Sequence, residues 1–137
     1  FVTRKITIAA ARIKLGLQSE LFLGNLSASR DWTYARETVP ALWAMLQQDK
    51  PDDYVLASGE THTVQEFLDL TFDLAGLDPT LFVKSDSGLL RPQEVPLLLG
   101  DSSKARRILG WKPQVKFREL VGRMYEADLI LAKKSIS

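Results

Sequence analysis

The stretch from residue 54 to residue 76, YVLASGETHTVQEFLDLTFDLAG, decides the fold class of this chain. Its opening, Tyr54 to Ala57, is a short apolar run before a Ser-Gly pair, which is typical of a buried strand that ends in a turn. Thr63 and Glu66 then form a capping box, and Gly76 ends the amphipathic helix that follows. A strand that leads through a turn into a capped helix predicts an α/β fold.

Outside this stretch, the hydrophobic spacing predicts further helices and strands. A first helix covers residues 2 to 15 and ends near Gly16. A second begins near Pro40 with Thr38 as its cap, because proline inside a helix costs about 3 kcal/mol. The other predicted elements are strands at 20–23 and 81–84, an ordered loop at 85–100, a short helix at 101–110 and a final helix marked by Phe117 to Leu131. The sequence thus predicts about five helices and three short strands.

Composition argues against several kinds of site and partner. The 137 residues are 45% hydrophobic and 26% charged, as in an ordinary globular protein. A net charge of +1 predicts no broad basic face for nucleic acid. The absence of cysteine and the single histidine, His62, argue against a disulfide, a thiolate nucleophile and a metal site. No apolar run reaches the roughly 18 residues that span a membrane, so we expect a cytoplasmic protein without a membrane partner.

The motifs of oxidoreductase chemistry are missing from the sequence. No glycine-rich phosphate loop follows a predicted strand. No tyrosine precedes a lysine by four positions, which removes the acid–base pair of short-chain dehydrogenase chemistry. We therefore predict no catalytic residue and no metal ligand in this chain.

Several cations lie beside predicted turns or helix ends. Lys5 is in the first turns of the first helix, Arg30 follows the turn at Gly24, and Arg91 opens an Arg-Pro-Gln-Glu loop. A guanidinium group can hold a phosphate through two hydrogen bonds, and an ammonium group supplies a point charge. Taken singly, each of these residues is also typical of a solvated surface.

Two further features complete a possible anion site. The amides of Val2 and Thr3 lie at the start of the first helix, where backbone donors and the helix dipole favour an anion. Glu94 could accept paired hydrogens from a guanine edge or a ribose. These are the parts of a site for a nucleoside diphosphate without a metal. From the residues alone, the function is that of an α/β domain that binds an anionic ligand.

Ordered stretches along nearly the whole chain resemble the GDP-mannose 4,6-dehydratase family. They are FVTRKIT (1–7), LGNL (23–26), RDW (30–32), AMLQQ (44–48), DDYV (52–55), SGETH (58–62), RPQEV (91–95), LGD (99–101), SKA (103–105) and LGWKP (109–113). The GWKP motif is found across extended short-chain dehydrogenases that act on nucleotide sugars. The first three stretches narrow the resemblance to GDP-mannose dehydratases.

This resemblance implies a fold and an activity. Residues 1–137 would form the carboxyl-terminal, GDP-sugar-binding portion of an extended short-chain dehydrogenase of the NAD(P)-binding Rossmann superfamily, with the Rossmann half missing. The complete enzyme, a lyase that uses NADP, would convert GDP-mannose into GDP-4-keto-6-deoxymannose. This chain alone would bind no cofactor and would be inactive. The alternatives are a fragment of another nucleotide-sugar epimerase or decarboxylase, and a non-catalytic, self-associating binding module.

The resemblance also assigns substrate-binding roles to residues of this chain. Val2 and Lys5 would meet the GDP moiety, Gly24 would allow close backbone approach, Arg30 and Arg91 would clamp the diphosphate or its ribose, and Glu94 would hold the nucleoside end. One departure concerns Ile8, where family members usually have a polar or basic residue. In this superfamily the strand that resembles residues 54–57 joins the edge of the Rossmann sheet, so we expect the isolated chain to form a homo-oligomer that covers it.

Overall fold

The structure is a computed structural model that describes residues 1–90 and 93–136. Across those residues there are five α-helices: α1 (Val2–Lys14), α2 (Ala35–Leu46), α3 (Val64–Ala75), α4 (Ser103–Leu109) and α5 (Phe117–Lys134). The same residues contain four short strands: β1 (Leu21–Leu23), β2 (Ser29–Arg30), β3 (His62–Thr63) and β4 (Val83–Ser85). No helix in this part of the chain is long and apolar enough to cross a membrane.

The chain divides into two compact units. The first unit contains Phe1–Ala28, Thr63–Pro96 and Val121–Ser137, and the second contains Ser29–His62 and Leu97–Leu120. β1 pairs with β4 in parallel within the first unit, and β2 pairs with β3 in a second two-stranded sheet. The prediction that residues 1–137 act as one GDP-sugar-binding portion stays a prediction.

Helix α3 forms as its local sequence predicts. The Thr63 hydroxyl oxygen accepts a hydrogen bond from the Glu66 amide at 3.0 Å, and the Glu66 carboxylate accepts one from the Thr63 amide at 2.8 Å. The helix ends at Gly76, whose φ of 66° lies in the left-handed region that glycine adopts without strain. Both predicted ends of this helix are therefore confirmed.

The first unit is built around the contact between α1 and α3. Spacing of three and four residues turns one apolar stripe of each helix inward. Among the described residues, the largest fully buried side chains all belong to this unit: Phe67, Phe72, Ile6, Leu68, Val121, Thr7 and Thr71. The first unit thus has a hydrophobic core of its own.

The second unit has a smaller core. Ala41 of α2, Ala105 of α4 and Trp111 are buried together, and Tyr54 and Leu56 pack against them. The indole Nε1 of Trp111 donates a hydrogen bond to a main-chain carbonyl of α2 at 2.7 Å, which satisfies its polar atom.

The prediction of a strand at residues 54–57 is wrong. Burial alternates along this run, from the half-buried Tyr54 and Leu56 to the exposed Val55, as in an extended segment. No strand is assigned to it in the described part of the chain. Side-chain packing, rather than a ladder of backbone hydrogen bonds, therefore holds this apolar run.

The predicted start of α2 is also wrong. The helix begins at Ala35 and carries Pro40 inside it. Glu37 explains the difference, because its carboxylate accepts hydrogen bonds from the amides of Gln114 at 2.9 Å and Val115 at 3.1 Å. These contacts with a distant segment hold the turn before the proline in helical form. They compensate for part of the stability that the helix loses because Pro40 has no amide hydrogen to donate.

Candidate functional site

The amino end of α1 carries two of the predicted binding residues. Val2 is the first residue of the helix, and the N-cap residue Phe1 makes no side-chain capping bond. The first turn also contains no acidic residue. Its amide donors and the positive end of the helix dipole therefore have no competing carboxylate on the helix itself. Lys5 lies one turn further on, and its side chain is exposed.

A cavity of about 410 Å³ lies beside Lys5 within the first unit. Its lining combines a cation, a carboxylate, an amide and apolar side chains: Lys5, Ile8, Ala9, Gln18, Glu20, Leu21 and Phe22. Glu20 forms an ion pair with Lys84, and Gln18 Nε2 donates a hydrogen bond to the Glu20 carbonyl at 2.7 Å. An apolar wall next to polar groups suits a ligand with a flat ring and hydrogen-bonding edges. Sequence analysis did not identify Gln18, Glu20 or Phe22, because only folding places β1 beside α1.

A buried carboxylate fixes the first two turns of α1. Asp128 of α5 is 4% exposed and accepts hydrogen bonds from Arg4 Nε at 3.1 Å and from the Thr7 hydroxyl at 2.6 Å. Arg4 Nη2 also lies 3.0 Å from the same carboxylate. Two donors on successive turns therefore hold the segment that carries Lys5. The signal in the sequence was an acidic residue within the apolar stripe of α5, and sequence analysis missed it.

The turn at Gly24 meets the segment that contains Glu94. Asn25 Nδ2 donates a hydrogen bond to Glu94 Oε2 at 2.8 Å, and Asn25 Oδ1 accepts one from the Ser27 amide at 2.9 Å. A Cβ atom on Gly24 would lie 2.7 Å from the carbonyl oxygen of Leu89. Gly24 thus allows a close backbone approach, and the backbone that it approaches in this structure is that of Leu89. The predicted residues Gly24 and Glu94 belong to one local arrangement.

The predicted residue Arg30 lies in the second unit, on β2. Its Nη1 atom donates a hydrogen bond to the Ser29 carbonyl at 2.8 Å. The other predicted arginine, Arg91, lies outside the described residues. Its role therefore stays a prediction.

Next to Arg30, Asp31 organises the backbone of the second unit. It accepts hydrogen bonds from the amides of Ser58 at 2.8 Å, Gly59 at 3.0 Å and Gly100 at 3.2 Å. Partial burial raises the pKa of Asp31, but these bonds together with the Ser58 hydroxyl outweigh it and hold the pKa below its ordinary value. Sequence analysis did not assign Asp31 a role, because its partners are far away in the sequence.

A second cavity, of about 400 Å³, lies within the second unit. Its lining contains one cation and several small residues: Gly59, Leu99, Gly100, Asp101, Ser102, Ser103 and Arg106. None of the predicted binding residues lines it, so we place the candidate site at the Lys5 cavity. Within residues 1–90 and 93–136, no group of three or more histidine, aspartate or glutamate side chains could hold a metal ion.

Comparison with known proteins identifies the family. A family model described as GDP-mannose 4,6 dehydratase matches residues 1–124. The chain belongs to this family. GDP-mannose 4,6 dehydratase 2 of Arabidopsis thaliana is 59% identical over 134 residues, which cover 98% of this chain and 36% of that protein. The GDP-mannose 4,6-dehydratase of Sinorhizobium fredii is 45% identical, with 94% and 42% covered. This member of the dehydratase family therefore spans about two fifths of the length of these relatives.

Solved structures confirm the predicted fold class of this dehydratase-family chain. RMD from Pseudomonas aeruginosa, complexed with NADPH, superposes with a TM-score of 0.84 at 23% identity and covers 96% of this chain and 43% of its own. The dTDP-glucose 4,6-dehydratase of Bacillus anthracis, in complex with NAD, gives a TM-score of 0.73 at 15% identity, with 88% and 37% covered. At these identities the likeness shows the fold alone. The fold is that of one portion of an extended short-chain dehydrogenase.

Proposed function

We propose that this chain is the GDP-sugar-binding portion of a GDP-mannose 4,6-dehydratase. The observation that carries the proposal is the cavity beside Lys5, at the start of a family match that runs through residues 1–124. The family indicates which class of ligand to expect, and the first unit has a cavity whose lining suits that ligand. In the complete enzyme, the proposed reaction converts GDP-mannose into GDP-4-keto-6-deoxymannose.

The proposed binding mode uses each part of the site for one part of the ligand. The first amides of α1 and the ammonium group of Lys5 attract the diphosphate. The cavity receives the base, which stacks on its apolar wall at Ile8 and Phe22. Glu94, oriented by its hydrogen bond from Asn25, accepts hydrogens from the nucleoside end. Arg30 and Arg91 remain proposed partners of the diphosphate or its ribose.

The residues that the structure describes do not fit a site for NADP. Among them, the strand that leads directly into an α-helix is β3, and the junction consists of the Thr63 cap without any glycine. Such a junction cannot form the close-approach phosphate loop of a dinucleotide site. NADP supplies the redox chemistry in the complete enzyme, and that chemistry requires residues beyond these. This chain alone is expected to bind GDP-mannose without converting it.

Calorimetric titration with GDP, UDP and dTDP tests the proposal. We expect GDP to bind most tightly. We expect Lys5→Ala to weaken binding about tenfold, because it removes a cation from the diphosphate. Lys14→Ala is the matched control, since Lys14 is an exposed lysine in the last turn of the same helix. Preference for UDP or dTDP would instead favour a portion of another nucleotide-sugar enzyme. Equal effects of the two lysine variants would contradict the site.

A further inference from the structure

The cavity of the second unit has walls that the fold holds in place. Its volume of about 400 Å³ lies within the range of sites that bind small molecules. One oxygen of Asp31, Oδ2, accepts hydrogen bonds from the amides of Gly59 at 3.0 Å and Gly100 at 3.2 Å, and both glycines line the cavity. A single carboxylate therefore joins two segments of the wall that are far apart in the sequence.

A buried hydroxyl group in this wall has no hydrogen-bond partner. Ser102 lines the cavity, and the residue is 3% exposed. Its side chain makes no capping bond to α4, and its hydroxyl forms no hydrogen bond within residues 1–90 and 93–136. Buried polar groups in proteins nearly always have a partner, because leaving one unpaired costs free energy. The Ser102 hydroxyl can therefore bond to a ligand in the cavity.

Two opposite charges complete the lining of the cavity. Hydrogen bonds from the Ser103 amide, at 2.8 Å, and from its hydroxyl lower the pKa of Asp101, and the charge of Arg106 adds a smaller effect. The Asp101 carboxylate is therefore ionised at neutral pH, and it retains sites that can accept further hydrogen bonds. Arg106 is exposed, and its guanidinium group forms no hydrogen bond or ion pair with the described residues.

The balance of charge in the cavity favours one class of ligand. An anion would meet the Asp101 carboxylate, and a cation would meet the Arg106 guanidinium. A neutral ligand with several hydroxyl groups suits both, because a hydroxyl donates to a carboxylate and accepts from a guanidinium. Leu99, which is 55% exposed and also lines the cavity, adds an apolar surface on which the C–H face of a sugar ring can pack.

We propose that the cavity of the second unit binds a neutral sugar through Asp101, Ser102 and Arg106. The carboxylate and the guanidinium hold neighbouring hydroxyl groups of the sugar, and the Ser102 hydroxyl bonds to a third. This cavity and the Lys5 cavity have no lining residue in common. The proposal rests on residues of the second unit alone, so it does not depend on the proposed nucleotide site.

Nuclear magnetic resonance spectra of the ¹⁵N-labelled chain test the proposal. The probes are methyl α-D-mannopyranoside, D-ribose and inorganic phosphate, each titrated into the chain at millimolar concentrations. We expect at least one of the two sugars to shift the amide signals of Gly59, Gly100 and Ser103 until they saturate. The amide signals of Lys5 and Phe22, in the other cavity, should stay unchanged.

Two variants separate binding of the sugar from a structural role of the cavity. Arg106→Gln should weaken sugar binding about fivefold or more, because it removes charged donors. Arg107→Gln is the matched control, since Arg107 is an exposed arginine on the same helix that does not line the cavity. Ser102→Ala should also weaken sugar binding and leave the Tm unchanged, because the hydroxyl that it removes bonds to no described residue.

Four results would overturn the proposal. One is the absence of saturable shifts with either sugar. Another is a shift of the same amide signals by phosphate without an effect of the sugars, which would make the cavity an anion site. The third is an equal loss of sugar binding in Arg106→Gln and Arg107→Gln. The last is a lower Tm of Ser102→Ala with unchanged sugar binding, which would show that the hydroxyl serves the fold.

Discussion

The two units of this chain differ in how they bury apolar surface. The first encloses large side chains such as Phe67 and Phe72 between α1 and α3, and they are fully buried. The second has a small core of two alanines and Trp111. Four apolar side chains of its helix α2 are exposed to solvent: Val39, Leu42, Trp43 and Leu46. The two units therefore differ in how much apolar side chain they bury, rather than in how much secondary structure they contain.

This difference matters for the proposed binding site. Of the five predicted binding residues that the structure describes, four belong to the first unit, which also contains the Lys5 cavity. A rigid core suits a site whose donors must be held in place before the ligand arrives. The second unit contains Arg30, and polar contacts such as those of Asp31 stabilise it. We therefore propose that the first unit carries most of the ligand site.

The largest expected effect comes from the core of the first unit. Phe67→Ala should lower the free energy of unfolding by about 3 to 5 kcal/mol, because it leaves a cavity where a fully buried ring stood. Chemical denaturation followed by circular dichroism measures this change. Trp43→Ala is the control, since it removes a larger but exposed side chain and should change stability by less than about 0.5 kcal/mol. Similar losses of stability in both variants would contradict the claim that the two units differ in how much apolar side chain they bury.

A smaller effect is expected where the second unit is tightly packed. A Cβ atom on Gly100 would lie 2.3 Å from the Cβ atom of Ala57, so Gly100→Ala should destabilise the chain by about 1 to 3 kcal/mol. Gly122→Ala is the matched control, because a Cβ atom there meets nothing within 4 Å and alanine favours the α5 helix. Thermal unfolding should show a lower Tm for the first variant and an unchanged or higher Tm for the second. The opposite order would show that the second unit is loosely packed at Gly100.

The smallest expected change in stability depends on pH. Asp31→Asn should cost about 1 kcal/mol at pH 7, because it replaces a charged acceptor of backbone amides with a neutral one. Burial raises the pKa of Asp31, but hydrogen bonds lower it further, so its pKa in the folded state lies below the unfolded value. The stabilisation is therefore complete above the unfolded value of about 4 and is lost as the pH falls through the folded value.

Denaturation at several pH values checks this expectation. The difference between parent and Asp31→Asn should shrink as the pH falls from 5 to 3. Asp78→Asn is a useful comparison, because Asp78 caps a turn near the surface of the first unit through Thr80 and contacts no distant segment in the described bonds. A difference that does not change with pH would show that the charge of Asp31 contributes nothing to stability.

Local signals were enough to predict most of the helices. The capping box at Thr63 and the glycine stops at Gly16, Gly76 and Gly110 act within a few residues, and the helices end where these signals lie. The two errors have long-range causes. The carboxylate of Glu37 bonds to amides 77 and 78 residues away and holds the first turn of α2, and the run at 54–57 packs through side chains instead of pairing as a strand.

The candidate site was predicted less completely than the fold. Lys5 and Glu94 were singled out from the residues themselves, and the family resemblance gave binding roles to both and to Gly24. The structure places each of the three beside a cavity or a turn in the first unit. Asp128 was missed because it is 121 residues from Thr7 in the sequence, and no local pattern joins them. The cavity itself arises from the approach of β1 to α1, which only the folded chain shows.

Hydrogen exchange of the unaltered chain, with and without saturating GDP, tests most directly whether the nucleotide site belongs to the first unit. The account predicts slower exchange in the first two turns of α1 and around β1, with α2 unchanged. Protection confined to the second unit, or no change anywhere at GDP concentrations that saturate the relatives, would contradict it.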